Sequence, residues 1–460
     1  MSNENNTDLT TGSVSNHLRR LAIPAATGML FHTLYNIVDI YFAGRLSTES
    51  QAGMAIGYLT FFFLVSFGFG LNGAMASLVG NAIGRKDTKT SEELTIIGIL
   101  FALFISITLI IFGLLLGPFT LGLISESGAY QDFGLRYYFL LLIALPAFLI
   151  AYTCNGILQA QGDAVSMQRA LIIAFLLNLF LNPLLIFGIP GFWFGLGFDG
   201  IALSTIFSQY FVMIFMLYKL ANASIKINFS FGILRINYKV LKEIFIQMLP
   251  PSLSFQMIII GVLVMQYALK DFGSQAIAGH SVAMRLEQLI LLPVLGMTHA
   301  LLPLAAQNFG ANKYDRVRQS FNLCLKVAIG SMVICYPIIW VFGESVISLF
   351  TKNEDVINIG VIYLRIDGLI LPVYALIFSI NSFLQAVKRP YGVFFVGLFR
   401  QGFGIAFFIW VFISVYNFGI LGVWLGASVS VILGGVLSLI IAYRVGRIEI
   451  GGLWLNTKAL

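Results

Sequence analysis

Twelve stretches of this chain are each long and apolar enough to cross a lipid bilayer. They lie near 18–44, 54–84, 93–118, 130–160, 166–188, 198–220, 244–270, 275–309, 318–344, 357–387, 391–416 and 420–444. About 20 apolar residues in a helix span the roughly 30 Å of hydrocarbon. Backbone that satisfies its own amides there is helical or forms a closed barrel, and barrel strands are alternating segments of about ten residues. The runs therefore predict an all-α polytopic membrane protein with twelve transmembrane helices. The sparseness of charge agrees: 10% of the 460 residues are charged and 58% are hydrophobic, against about 25% charged in soluble proteins.

The net charge of +7 encodes orientation rather than affinity for nucleic acid. With the N-terminus in the cytoplasm, twenty Lys and Arg residues fall on the cytoplasmic side, among them Arg19, Arg20, Arg85, Lys86, Lys313 and Arg316. Only Arg45, Arg136, Lys270 and Lys352 fall on the other. Such an excess is the positive-inside pattern. The expected location is a bacterial inner membrane, multi-pass, with both termini cytoplasmic. Cys154, Cys324 and Cys335 have no metal-binding spacing and argue for no disulfide.

The chain repeats itself at one constant offset, the distance from Pro24 to Pro250. The same step carries Gly53 onto Gly279, Gly84 onto Gly310, Gly134 onto Gly360, Pro146 onto Pro372 and Asn155 onto Asn381; a shift of four residues then matches Gly200 with Gly422. Many matches at one offset mark an internal repeat. Each copy has six helices, so the copies run in the same direction. Two pseudo-symmetric six-helix bundles are expected: a polar tail at 1–17, an N-terminal lobe at 18–220, a cytoplasmic linker at 221–243 with Lys226, Arg235, Lys239 and Lys242, a C-terminal lobe at 244–444 and a tail at 445–460. Parallel repeats of this kind are a transporter plan in which access alternates.

Asp39 is the only charge between Leu21 and Gly44. An intramembrane acid costs roughly 2.5–3.5 kcal/mol on insertion scales and marks a functional site by default. His32, Tyr35 and Asn36 lie seven, four and three residues before it, on a similar helix face. Pro24 lies four turns earlier and is a candidate bend. The repeat counterpart of Asp39 is Met265, so the scaffold is duplicated and the acid is not; one ion site in the N-terminal lobe fits that asymmetry. Tyr137, Asn155, Asn178 and Asn182 interrupt later apolar runs, and Pro183 frees a carbonyl beside the last. Their oxygens suit a sodium ion, held chiefly by Asp39 and Asn178, or a protonated carboxyl. Helix-stapling by buried Asn is the alternative.

In the second half, His280, Arg285, Glu287, His299 and Arg400 are candidates for a substrate cavity or for lobe-internal pairing, with Glu287–Arg400 the expected pair; Asp367, near Arg365, reads as solvated. No phosphate-binding GxxxxGK[ST], HExxH or nucleophile elbow is present. An enzyme is not expected, nor a cofactor beyond a coupling ion, and uphill transport would have to draw on an ion gradient.

The chain resembles the multidrug and toxic compound extrusion (MATE) family over about 18–444. The resemblance rests on IPAATGMLFHTLYNIVDIYFAGRL, GNAIGRKD, LQAQGD and NLFLNPLLIFG, with PPSLSF, AIAGHSVAMRL and QNFGANKYDRVR in the second half. It implies export of small organic cations or amphipathic drugs against proton or sodium entry, with Asp39 in the place of the family's first-helix acid and Tyr137, Asn155 and Asn178 around it. Asn182 stands where relatives often carry Asp, and Ile258 and Tyr374 stand nearest the acids of NorM-type members. The chain is thus more similar to the DinF-like branch, and a monomer in the lipid bilayer is expected. A flippase of lipid-linked sugars and a channel or scaffold are the alternatives.

Overall fold

The computed structural model describes residues 8–124, 128–189, 191, 193–225 and 237–454. Lys226, Arg235 and Lys458, together with residues 1–7 of the N-terminal tail, lie outside the described residues. The helices are α1 (Val14–Leu46), α2 (Thr48–Gly84), α3 (Thr88–Ile124), α4 (Ala129–Leu142), α5 (Leu145–Ala160), α6 (Val165–Phe187), α7 (Asp199–Ala221), α8 (Tyr238–Leu269), α9 (Ser274–Gly310), α10 (Tyr314–Ile347), α11 (Glu354–Ala386), α12 (Tyr391–Gly397), α13 (Ile405–Trp410) and α14 (Ile420–Ile450). Two π-helical segments, Leu398–Gly404 and Val411–Val415, join with α12 and α13 into one 25-residue span. α4 and α5 meet at a 52° bend and count as one broken span. Eleven long apolar helices and this pair give the twelve expected from the sequence. The only strands among the described residues are β1 (Gly188–Ile189) and β2 (Trp193–Phe194), a minimal antiparallel pair.

Helix ends follow local chemistry. Ser47 caps α2 by accepting from Ser50 N at 3.0 Å, and Asn353 caps α11 by accepting from Asp355 N and Val356 N. Asp87 accepts from Thr90 N at 3.0 Å ahead of α3; hydrogen bonds from Thr90 hold this carboxyl below the usual carboxylate range. Such caps satisfy amides that a helix start leaves open.

The C-terminal ends carry the repeat in their backbone. Lys86 (φ 60°) and Asn312 (φ 57°) are repeat counterparts, as are Gly162 (φ 83°) and Lys388 (φ 60°). Each left-handed residue is followed by a six-residue closure: Asp87 N to Ala82 O, Asp163 N to Leu158 O, Lys313 N to Asn308 O and Arg389 N to Leu384 O. This is the Schellman stop, used four times in matched places.

The residues group into two compact units. One holds Thr27–Ser252, and its core gathers Phe61, Leu71, Met75, Tyr138, Leu145 and Leu149. The other holds Leu9–Ala26 and the residues from Leu253 onward, with a core that includes Met332, Leu364, Leu371 and Trp424. The divisions fall inside α1 and α8, each two residues after a proline, Pro24 or Pro250. In both units the outer helices expose apolar side chains, such as Phe104, Leu115 and Phe119 on α3 and Ile334, Val341 and Phe342 on α10, as lipid-facing surfaces do.

The repeated glycines are close-packing points. A Cβ on Gly53 would lie 2.5 Å from Phe133 Cβ and 2.6 Å from Tyr130 O, and one on Gly134 would lie 3.1 Å from Gly53 O. In the second half a Cβ on Gly360 would again lie 3.1 Å from Gly279 O, and one on Gly279 2.9 Å from Val356 O. Small residues let helix backbones approach in membranes. Gly53→Ala is therefore expected to destabilise by about 1–3 kcal/mol, the usual range for overpacking, and more than Gly279→Ala, whose neighbours stand further off. Thermal unfolding of the two variants in detergent checks the order.

Residues 9–12 are fastened to the turn between α9 and α10 of the same unit. Leu9 is buried, its N donates to Gln307 Oε1 at 3.1 Å, and its O accepts from Asn308 Nδ2 at 3.0 Å. Arg316 donates to the carbonyls of Leu9, Thr11 and Gly12, and Lys313 to that of Thr10. Hydrogen bonds from charged donors contribute about 1.5–3 kcal/mol each. Arg316→Ala is expected to raise the rate of proteinase K cleavage before α1 several-fold; an unchanged rate would show the strap holds without it.

Candidate functional site

Three helices of the first unit converge on Asp39. α1 supplies the acid, α6 supplies Asn178 and Asn182, and α7 supplies Thr205. Asp39 is 3% exposed, and both Asn side chains are fully buried. Asp39 Oδ1 accepts from Asn178 Nδ2 at 2.9 Å and from Asn182 Nδ2 at 2.8 Å, and Oδ2 accepts from Thr205 Oγ1 at 3.1 Å. The two Asn residues are one turn apart, so both reach the same oxygen. Asn178 also donates to Ser204 Oγ at 3.1 Å and accepts from Asn182 Nδ2 at 3.1 Å.

Every donor to Asp39 is neutral. Among the described residues no Lys or Arg pairs with it. Three buried polar atoms on the site's residues lack a hydrogen-bond partner: Tyr35 Oη, Asn182 Oδ1 and Ser208 Oγ. Buried polar groups are nearly always satisfied, so three unpartnered oxygens beside a carboxylate that no cationic side chain pairs with set this site apart. Tyr137 is buried and within electrostatic reach of Asp39 and Tyr35.

The structure thus brings together Asp39, Tyr35, Tyr137, Asn178 and Asn182. It places one other candidate, Asn155, elsewhere. Asn155 on α5 faces Asn72 Oδ1 of α2 at 3.5 Å and accepts from Gln159 Nε2 at 3.4 Å, because the inner face of α5 packs on α2. Asn36 donates to its own helix at His32 O, 3.1 Å away. Pro24 sits inside an α1 that is helical throughout Val14–Leu46. The site members not found from sequence are Ser204, Thr205 and Ser208. Their signal is the S-T-x-x-S spacing on the sixth span, which turns two hydroxyls to one face.

The second unit holds a different cluster. Glu287 on α9 does not meet Arg400 directly: its Oε2 accepts from Tyr363 Oη at 2.7 Å, while Arg400 lies with Cζ 5.2 Å from the Tyr374 ring centre. Arg400 Nε and Nη1 and Asp367 Oδ2 have no hydrogen-bond partner. Asp367 is 5% exposed, not solvated: Arg365 turns instead to the Trp340 ring, 4.3 Å away. His280 is likewise buried, stacked on Trp424 at 5.6 Å and edge-on to Tyr363 at 4.9 Å. Arg285 is exposed, and His299 is half-buried, roughly 18 Å along α9 from Glu287 at 1.5 Å per residue.

Fold and site define a polytopic helical membrane protein built from two repeats, with a neutral-ligated carboxylate on the first span of one. The MatE family model matches residues 24–184 and again 250–410, two matches of equal length set at the offset of the repeat, and the chain belongs to this family of MATE transporters. It is similar to the multidrug export protein MepA of Staphylococcus haemolyticus (strain JCSC1435), 23% identical over 94% of both chains. It is also similar to the probable multidrug resistance protein YoeA of Bacillus subtilis (strain 168), 24% identical over 76% of each. Among solved structures, a MOP superfamily transporter from Pyrococcus furiosus has the same fold, with a TM-score of 0.88, 22% identity and coverage of 97% of this chain and 98% of that one. A MATE protein in a bent conformation matches with a TM-score of 0.87, 22% identity and coverage of 96% and 97%.

Proposed function

We propose that the protein is a secondary active antiporter of the bacterial inner membrane. It exports cationic or amphipathic organic compounds in exchange for protons or sodium ions, with Asp39 as the coupling carboxylate and both termini cytoplasmic. The observation that carries this reading is the carboxylate itself: buried in the membrane region and held only by neutral donors. An uncompensated charge at that depth is costly, and binding a cation removes the cost. The site is therefore a switch between a charged state and a neutral one.

Its residues suit both ions. A protonated carboxyl must donate a hydrogen bond. Asn182 Oδ1, without a partner, becomes the acceptor if the amide turns by half a rotation. For sodium, the oxygens of Asp39, Asn178, Asn182, Tyr35 and Thr205 are hard ligands of the kind such a cation takes. The drug-export names of MepA and YoeA support an organic substrate. The second unit favours a cation over a lipid-linked pyrophosphate. A flippase needs a basic cavity, yet Arg400 is counter-charged by Glu287 and Asp367, and Arg285 is exposed.

Protein in proteoliposomes, loaded with ethidium and given an imposed proton or sodium gradient, tests the reading. Uptake against the substrate gradient under one of the two ion gradients is expected. Large ionic currents without substrate countertransport would mean a channel, and the proposal would fail.

A further inference from the structure

Three charges of the second unit lie within one another's field and outside the Asp39 site: Glu287 on α9, Asp367 on α11 and Arg400 on the first π-helical segment. Arg400 and Asp367 are each 5% exposed, and each keeps polar atoms without a partner. Glu287 is only half-buried. Aromatic walls surround them: Tyr374 under the guanidinium, Tyr363 on the Glu287 carboxylate, and His280 and Trp424 behind Tyr363.

The repeat isolates what is special here. Tyr363 is the counterpart of Tyr137 at the repeat offset, so the tyrosine is kept in both halves. The counterparts of Glu287, Asp367 and Arg400 are Phe61, Leu141 and Ala174, all apolar. The charged set is therefore confined to one half of a repeated scaffold that does without it in the other. The backbone beneath Arg400 is also unusual. Leu398–Gly404 is π-helical, a form that is rare and frequent at functional sites. Ser430 Oγ donates to Arg400 O at 2.8 Å, and Gly434 leaves room beside the side chain, where a Cβ would stand 3.1 Å from Arg400 Cβ. A π turn returns to α-helix by shifting one residue's register, which would carry Arg400 with it.

The guanidinium stands over the Tyr374 ring with two carboxylates in electrostatic reach but neither bonded to it; two carboxylates and phenol rings are a recognition set for an organic monocation. We propose that Arg400 is a tethered cation occupying a cation site formed by Glu287, Asp367, Tyr363 and Tyr374, and that a substrate monocation binds there by displacing it. The displacement rests on the reading of the protein as an exporter of cationic compounds; the self-occupied site does not. Glu287 is the acid an entering cation meets first, since it alone of the three charges keeps appreciable exposure. Arg400 withdraws from the ring as the substrate arrives, so the site itself holds one cation when loaded and when empty.

The test uses the purified full chain in lipid nanodiscs. In Arg400→Ala, methylguanidinium should fill the vacated place and raise the melting temperature saturably, with no such effect in wild type at matched ionic strength. Adding Glu287→Gln to that variant should remove the effect. Tetraphenylphosphonium should bind Arg400→Ala about tenfold more tightly than wild type, because apparent affinity scales with the fraction of sites that Arg400 leaves open, about one in ten here; Arg400→Lys should restore the wild-type value. Should Arg400→Ala not fold, Arg400→Gln, closer in size, carries the same two readouts. Absence of methylguanidinium rescue would overturn the tethered-cation site. Rescue with unchanged tetraphenylphosphonium affinity would overturn the displacement. Rescue in Arg400→Ala beside a wild type that fails to export cations would sink the transport reading and leave the site standing.

Discussion

Asp39→Asn is expected to abolish ion-driven export and to leave the fold intact. The substitution keeps size and shape, so α1, α6 and α7 pack as before. An amide oxygen still accepts from Asn178 and Asn182, while the new NH2 faces Thr205 Oγ1 and one bond is weakened. A neutral side chain is also easier to bury than a carboxylate. What disappears is the ability to change charge. Export under a proton or sodium gradient should fall to the level of empty liposomes, a loss on the order of 100-fold or more. Melting temperature should stay within a few degrees. A variant that unfolds would mean Asp39 is chiefly structural, and a variant that transports normally would mean the coupling lies elsewhere.

Asn178→Leu is the second large effect. Asn178 is the hub of the site: it donates to Asp39 and Ser204 and accepts from Asn182. Leu removes all three bonds in a fully buried position and leaves Ser204 and Asn182 with fewer partners. A hydrogen bond to a charged group is worth about 1.5–3 kcal/mol, equal to roughly 10–150-fold in a rate or affinity. Export should drop by that range, with a melting temperature several degrees lower. Asn178→Gln, which keeps the amide but misplaces it, should fall between. If Asn178→Leu exported at the wild-type rate, the amide would be a staple between helices and no part of the ion site.

Much of this architecture is readable because membranes simplify the code. Twelve apolar runs translate into spans with little ambiguity, and Asp39, Asn178 and Asn182 stand out because nothing near them in sequence is polar. The repeat can be read from pairs such as Gly53 and Gly279 without knowing that they are packing points. The limits have equally physical sources. Hydroxyl residues are easily passed over in apolar helices because most bond their own backbone, as Thr60 and Thr153 do; Thr205 does not, and only packing of α7 on α6 shows it. Asn155 carries the same signal as Asn178, yet it faces α2, a fact about helix rotation. Asp367 reads as solvated beside Arg365, but neighbours in sequence on a helix point apart, and Arg365 turns to Trp340. The π turns at Arg400 are backbone register, which side-chain patterns do not encode. Nor does the sequence reveal that Leu9–Ala26 groups with the residues from Leu253 onward.

The central claim is that Asp39 exchanges an ion when substrate binds. Purified protein in weakly buffered detergent, mixed with ethidium at several pH values with and without sodium, measures this with a pH indicator. Wild type should release protons on substrate addition, or show binding that sodium displaces competitively, and Asp39→Asn should do neither. Ethidium binding by wild type that moves no proton and ignores sodium across the pH range, or an unchanged response in Asp39→Asn, would contradict it.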